Sequence, residues 1–135
     1  NNLQGYPVRA LRTEHFLYIR NFEPDRWPAG DPDFGYRDVD TSPTKRYMVS
    51  RHDDPEVKPL FERAFGKRPP EELYDLRKDP DQLHNIVDDP AYTRAKSTLA
   101  ARLTQMLKDT DDPRMYGRGD VFDSYPYYMV KRVHQ

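Results

Sequence analysis

The stretch Glu72-Leu73-Tyr74-Asp75-Leu76-Arg77-Lys78-Asp79-Pro80-Asp81-Gln82-Leu83-His84-Asn85-Ile86 decides how this 135-residue chain is read. Pro69 and Pro70 stop a helix from running into it, because proline lacks an N–H and constrains the residue before it. Residues 72–76 therefore read as a strand, and a charged turn on Asp79-Pro80 ends it. An Asn-aliphatic pair, Asn85-Ile86, follows the turn.

Working outward, residues 59–65 read as a short helix, with Gly66 as the left-handed residue just beyond its end. Residues 8–13 and 16–22 are strands joined by a turn around Glu14-His15, a β-hairpin spanning 8–22. Phe16, Tyr18 and Phe22 fall on one side of the second strand and Leu17 and Ile19 on the other, which argues for cover on both faces. Between hairpin and helix, residues 23–55 carry Pro24, Pro28, Pro32, Pro43 and Pro55, so they read as one long ordered loop. The clearest helix covers 90–108. Asp88 or Asp89 can cap it, Pro90 suits its first turn, and Tyr92, Ala95, Leu99, Leu103, Met106 and Leu107 form a helical stripe. An aromatic tail occupies 113–135. A hairpin, a further strand and helices without regular βα alternation give an α+β class, expected as one domain over 1–135.

Composition narrows the function classes. Leu, Ile, Val and Phe number 26 of 135, so the aliphatic core is thin. Ten Tyr, six Phe and one Trp supply the missing apolar area. A net charge of −1 argues against nucleic acid and against anionic membrane surfaces as partners. No apolar stretch approaches the roughly 20 residues of a membrane span. The absence of cysteine excludes disulfides and thiolate metal sites in this chain.

The E-L-Y-D-L strand, Asp-Pro turn and Asn-aliphatic pair resemble the signature near the carboxyl end of sulfatases. Arg9-Ala10-Leu11-Arg12-Thr13-Glu14-His15-Phe16-Leu17-Tyr18-Ile19-Arg20-Asn21 resembles the R-T-x-x-x-K/R-Y-I hairpin that precedes it in that family. The resemblance implies a carboxyl-terminal subdomain of the formylglycine-dependent sulfatases, within the alkaline-phosphatase-like superfamily: a small antiparallel sheet packed against one long carboxyl-terminal helix, with long ordered loops. It also implies that the catalytic domain, with its calcium and formylglycine, lies outside these residues, in a periplasmic or secretory setting. The partner it implies is that catalytic domain of the same polypeptide, with a sulfated carbohydrate as substrate. Two alternatives stand beside it: a freestanding sugar-binding or interaction module, and the tail of a phosphonate or phosphodiester hydrolase of the same superfamily. A severed subdomain is expected to expose an apolar face and to dimerise through it.

No catalytic or metal residue can be assigned from the chain itself. The C/S-x-P/A-x-R pattern that yields formylglycine is absent, and His15, His52, His84 and His134 are too far apart for a metal motif. His52-Asp53-Asp54 is better read as turn chemistry. Asp38-Val39-Asp40-Thr41-Ser42 lacks the Gly and Glu of a calcium loop. Arg118-Gly119-Asp120 is a tripeptide that recurs by chance, and Tyr116, Phe122, Tyr125, Tyr127 and Tyr128 read as packing anchors rather than a sugar platform. The substrate-binding candidates are Arg37, Asp38, Asp40, Thr44 and Lys45, where cations suit sulfate, carboxylates suit hydroxyls, and aromatics flank the segment.

Overall fold

Leu11, Tyr18 and Leu73 stand in one row across three strands, and that row is the centre of the fold. The strands are β1 (Val8–Arg12), β2 (Phe16–Asn21) and β3 (Glu71–Asp75), in an antiparallel sheet of order β1-β2-β3. The structure is a computed structural model and describes residues 5–37 and 39–126. Two further helices, α1 (Pro43–Ser50) and α2 (Lys58–Phe65), lie between β2 and β3, and α3 (Thr93–Asp109) follows β3.

α3 lays Leu99, Leu103 and Leu107 on the row, four residues apart and thus on one stripe. Tyr18 and Leu73 are fully buried beneath it. Each such leucine contributes roughly 1.5–3 kcal/mol of burial. Polar groups stitch the border of this core. Arg20 donates to Thr104 Oγ1 at 3.0 Å and to the Ala100 carbonyl at 3.4 Å. Glu71 accepts from the Tyr18 hydroxyl and pairs with Lys96 at 3.1 Å. The α+β architecture, an antiparallel sheet against one long helix, is as expected. Met106, however, is 47% exposed and leaves the stripe, which is narrower than its apolar spelling suggests.

The hairpin turn is locked by Thr13, whose N–H donates to the Phe16 carbonyl at 2.8 Å while its hydroxyl accepts from Phe16 N–H at 3.0 Å. β3 would otherwise present a bare edge, and the Asn85-Ile86 pair closes it. Asn85 Oδ1 accepts from Leu73 N–H at 2.9 Å, and Ile86 N–H donates to the Leu73 carbonyl at 2.9 Å. A side-chain amide thus substitutes for a fourth strand on that side. The Asp-Pro turn is held by Asp79, which accepts from Leu83 and His84 N–H at 3.1 and 2.8 Å. These two bonds hold its carboxyl below the ordinary aspartate range.

The reading of 23–55 as a loop needs correction, because it contains α1 and a short 3-10 helix at Pro32–Phe34. Pro43 does not break structure there. It occupies the first helical position, where no N–H is needed, and Ser42 Oγ caps the helix by accepting from Lys45 N–H at 3.0 Å. α1 and α2 enclose a second core of Ala29, Tyr36, Phe61 and Phe65, bordered by Trp27, Met48 and Val49. Tyr36 stands edge-on to both Trp27 and Phe61, with ring centroids 6.1 and 5.9 Å apart. Gly66 also differs from expectation. Its φ of −60° is not left-handed; glycine is required because a Cβ would sit 2.4 Å from the Glu62 carbonyl oxygen.

A 3-10 turn at Pro90–Tyr92, capped by Asp89 accepting from Ala91 N–H at 2.9 Å, leads into α3. After α3 come two more, at Pro113–Tyr116 and Gly119–Ser124. Asp112 caps the first by accepting from Arg114 N–H and ties it to β1 through Arg9 at 2.7 Å. Of the tail aromatics, Phe122 is half-buried while Tyr116 and Tyr125 are exposed. Tyr127 and Tyr128 lie outside the described residues.

Candidate functional site

Two surfaces emerge from this arrangement: the segment that leads into α1, and the sheet face turned away from α3. In the first, Lys45 reaches back from the first turn of α1, and its ammonium donates to the Tyr36 and Val39 carbonyls, both at 2.7 Å. That clasp is what shapes the 36–42 segment. Asp40 is exposed on that segment and Thr44 in the first turn of α1, and Arg37 is exposed but has an interaction of its own. Asp38 lies outside the described residues. The structure therefore brings Lys45 to the segment as its fastening and leaves the side chains of Asp40 and Thr44 facing solvent.

On the neighbouring turn of α1, Tyr47 is 51% exposed, and the Arg51 guanidinium lies 5.0 Å over its ring. Residues four apart on a helix share a face, so helical spacing would have found this pair. Five prolines hid the helix that carries it. His52 is engaged locally: its Nδ1 is 2.9 Å from the Val49 carbonyl and its Nε2 is 3.3 Å from Asp53. Arg118 pairs with Asp111 at 3.1 Å and lies over the Tyr116 ring. Among the described residues, no group of three His, Cys, Asp or Glu gathers to hold a metal ion. The C/S-x-P/A-x-R pattern that yields formylglycine is likewise missing from the sequence.

The second surface is a groove of about 470 Å³ along the sheet face opposite α3, walled by Val8, Leu17, Ile19, Tyr74 and Leu83. Its floor is polar. Asn21 Nδ2 donates to the Pro69 carbonyl at 2.6 Å and to Glu72 Oε1 at 2.8 Å, and the Tyr74 hydroxyl donates to Glu72 Oε2 at 2.5 Å. Burial first, then the Glu72 carboxylate, push the Tyr74 phenol well above its ordinary pKa. Burial likewise pushes Tyr6 up to about 12, with Glu72 adding to it. Asn21 Oδ1 and the Tyr6 hydroxyl are buried with no hydrogen-bond partner among the described residues. Buried polar atoms are nearly always paired, so two unmet polar atoms lie beneath this face, whose surface exposes Val8 and Leu83. The expectation that β2 is covered on both faces holds for the α3 side, whereas Leu17 and Ile19 on the other side are only half-buried.

No protein-family model matches the chain. It is similar to an ulvan-active sulfatase of Formosa agariphila, 27% identical over 111 residues, which cover 82% of this chain and 19% of that protein. A second ulvan-active sulfatase of the same organism is 28% identical over 106 residues, covering 78% of this chain and 17% of the relative. Human N-sulphoglucosamine sulphohydrolase is 26% identical over 111 residues, covering 81% of this chain and 21% of the relative. The chain is thus sulfatase-related along about four-fifths of its length, and it spans only about a fifth of the length of these relatives.

Proposed function

We propose that this chain is the carboxyl-terminal subdomain of a sulfatase-type hydrolase, supporting a catalytic domain and shaping one side of its substrate pocket. The observation that carries the reading is the extent of the likeness: it runs along most of this chain but takes in only a fifth of each sulfatase. The open groove, with exposed Val8 and Leu83 in its walls, supports a neighbour on that face. Alone, the chain is not catalytic. Calcium and formylglycine belong to the catalytic part, and no residue here is assigned to either.

One relative is named for ulvan and another for N-sulphoglucosamine, and we extend to this chain a sulfated saccharide as the substrate class. Arg37, Asp38, Asp40 and Thr44 are the proposed pocket residues. Lys45 acts through the segment it fastens. The test uses the polypeptide of the gene's complete reading frame, assayed on a sulfated disaccharide, an aryl sulfate and a phosphodiester. Arg37→Ala and Thr44→Ala are expected to raise KM for the disaccharide and leave kcat and aryl sulfate turnover in place. Hydrolysis of the phosphodiester without sulfate release would assign the chain to another branch of the superfamily instead.

A further inference from the structure

A cavity of about 490 Å³ lies where the segment before β1, the end of β2 and the turns after α3 meet. Its volume is that of a small-ligand pocket. Sequence position gives no hint of it, since its walls come from residues 5–7, 22–26 and 114–123.

Two of the arginines of this region are taken up by carboxylates. Arg26 forks onto Asp123, with Nη1–Oδ1 at 2.9 Å and Nη2–Oδ2 at 2.8 Å. Asp112 accepts from Arg9 Nε at 2.7 Å. Arg114 is what remains. Its guanidinium lies 3.9 Å over the Phe122 ring, and its Nε is buried with no hydrogen-bond partner among the described residues. Gly119 leaves room for its stem, because a Cβ there would sit 3.1 Å from Arg114 Cγ. Burial first, then Arg9 and Arg26, lower the Arg114 pKa from its ordinary value, while Asp112 and Asp123 pull the other way. The Arg114 Nε–H is a donor for which an anion would supply the acceptor.

The remaining walls specify what carries the anion. Tyr6, Phe22 and Phe122 supply aromatic surface, and Glu23 and Asp120 are exposed carboxylates at the rim. Rings suit the C–H face of a pyranose, carboxylates accept from hydroxyls, and a guanidinium fork matches a carboxylate or sulfate. We propose that this cavity binds an anionic monosaccharide unit, with Arg114 on its carboxylate or sulfate group and the Phe122 wall against its ring. None of the described residues of 37–45 lines it, so it is a second saccharide contact, apart from those proposed pocket residues. It extends the saccharide reading above, and its failure is separable from that one because binding is read on this chain without any turnover.

The experiment titrates the ¹⁵N-labelled 135-residue chain with glucuronate, glucose 6-sulfate, glucose and inorganic sulfate, following amide shifts of Arg114, Gly119 and Phe122. At least one of the two anionic sugars is expected to give saturable shifts near 1 mM, about tenfold tighter than glucose or inorganic sulfate. Arg114→Met keeps the stem on Phe122 and is expected to abolish the difference between charged and neutral sugar. If that variant fails to fold, Arg114→Lys serves instead, with weakened binding expected from the lost fork. Which anionic sugar saturates separates the carboxylate from the sulfate. Absence of saturation at roughly 50 mM of either sugar, equal shifts from inorganic sulfate, or unchanged binding in the Arg114 variant would overturn the proposal.

Discussion

Asp75 and Arg77, two residues apart at the end of β3, form a forked ion pair: Nε donates to Oδ1 at 2.8 Å and Nη2 to Oδ2 at 2.7 Å. Asp75 is 2% exposed, and Arg77 lies across the Phe16 ring, with its guanidinium 5.1 Å from the ring centre. The carboxylate thus sits at the edge of the main core. The D of the E-L-Y-D-L stretch is there to be held ionised.

The pH dependence follows from that pair. Hydrogen bonds from Arg77, opposed by burial, hold the Asp75 carboxyl at about 2, below the unfolded value of about 3.9. A group whose folded pKa is depressed stabilises fully above the unfolded pKa and loses that contribution as pH falls through the folded one. Stability is therefore expected to drop between about pH 4 and pH 2. Asp75→Asn should flatten that slope in urea midpoints measured across the range, whereas an unchanged slope would place the proton uptake elsewhere.

Asn85 is expected to be indispensable to the β3 edge. Asn85→Ala removes the acceptor for Leu73 and Val87 N–H, at 2.9 and 3.1 Å, and is expected to cost about 1–3 kcal/mol. Hydrogen exchange should localise the effect, with the Leu73 amide losing protection before its β2-paired neighbours.

Leu103 lies at the middle of the α3 stripe, 3% exposed. Leu103→Ala is expected to destabilise by about 2–5 kcal/mol in chemical denaturation. Met106→Ala on the solvent side should stay within about 0.5 kcal/mol.

Lys45 separates fastening from substrate contact. Lys45→Met breaks two carbonyl bonds and is expected to lower Tm and loosen the amides of 36–42. Ser42→Ala should act in the same direction by about 1 kcal/mol through the lost cap. A Lys45→Met variant with unchanged Tm and a raised KM on a sulfated sugar would return Lys45 to the pocket.

Much of the fold was legible in the sequence because its signals are local. The bulky apolar residues of 16–22, the prolines before Glu72 and the fourfold leucine spacing of α3 each act within one element. α1 is hidden because Pro43 reads as a breaker while its position makes it a starter, and the Ser42 cap distinguishes the two. The 490 Å³ cavity escaped for a different reason: Tyr6, Phe22 and Arg114 meet only in three dimensions, at separations no spacing rule covers. At the candidate pocket the residue types were readable, but the direction of Lys45 was not, since an ammonium can serve a substrate or two carbonyls equally well.

The most direct test of the central claim is sulfate release from a sulfated disaccharide, measured for the complete reading frame's polypeptide and for the 135-residue chain alone. Turnover is expected from the first and none from the second. Sulfate release by the isolated chain, or none by the complete polypeptide on any sulfate ester, would contradict that claim.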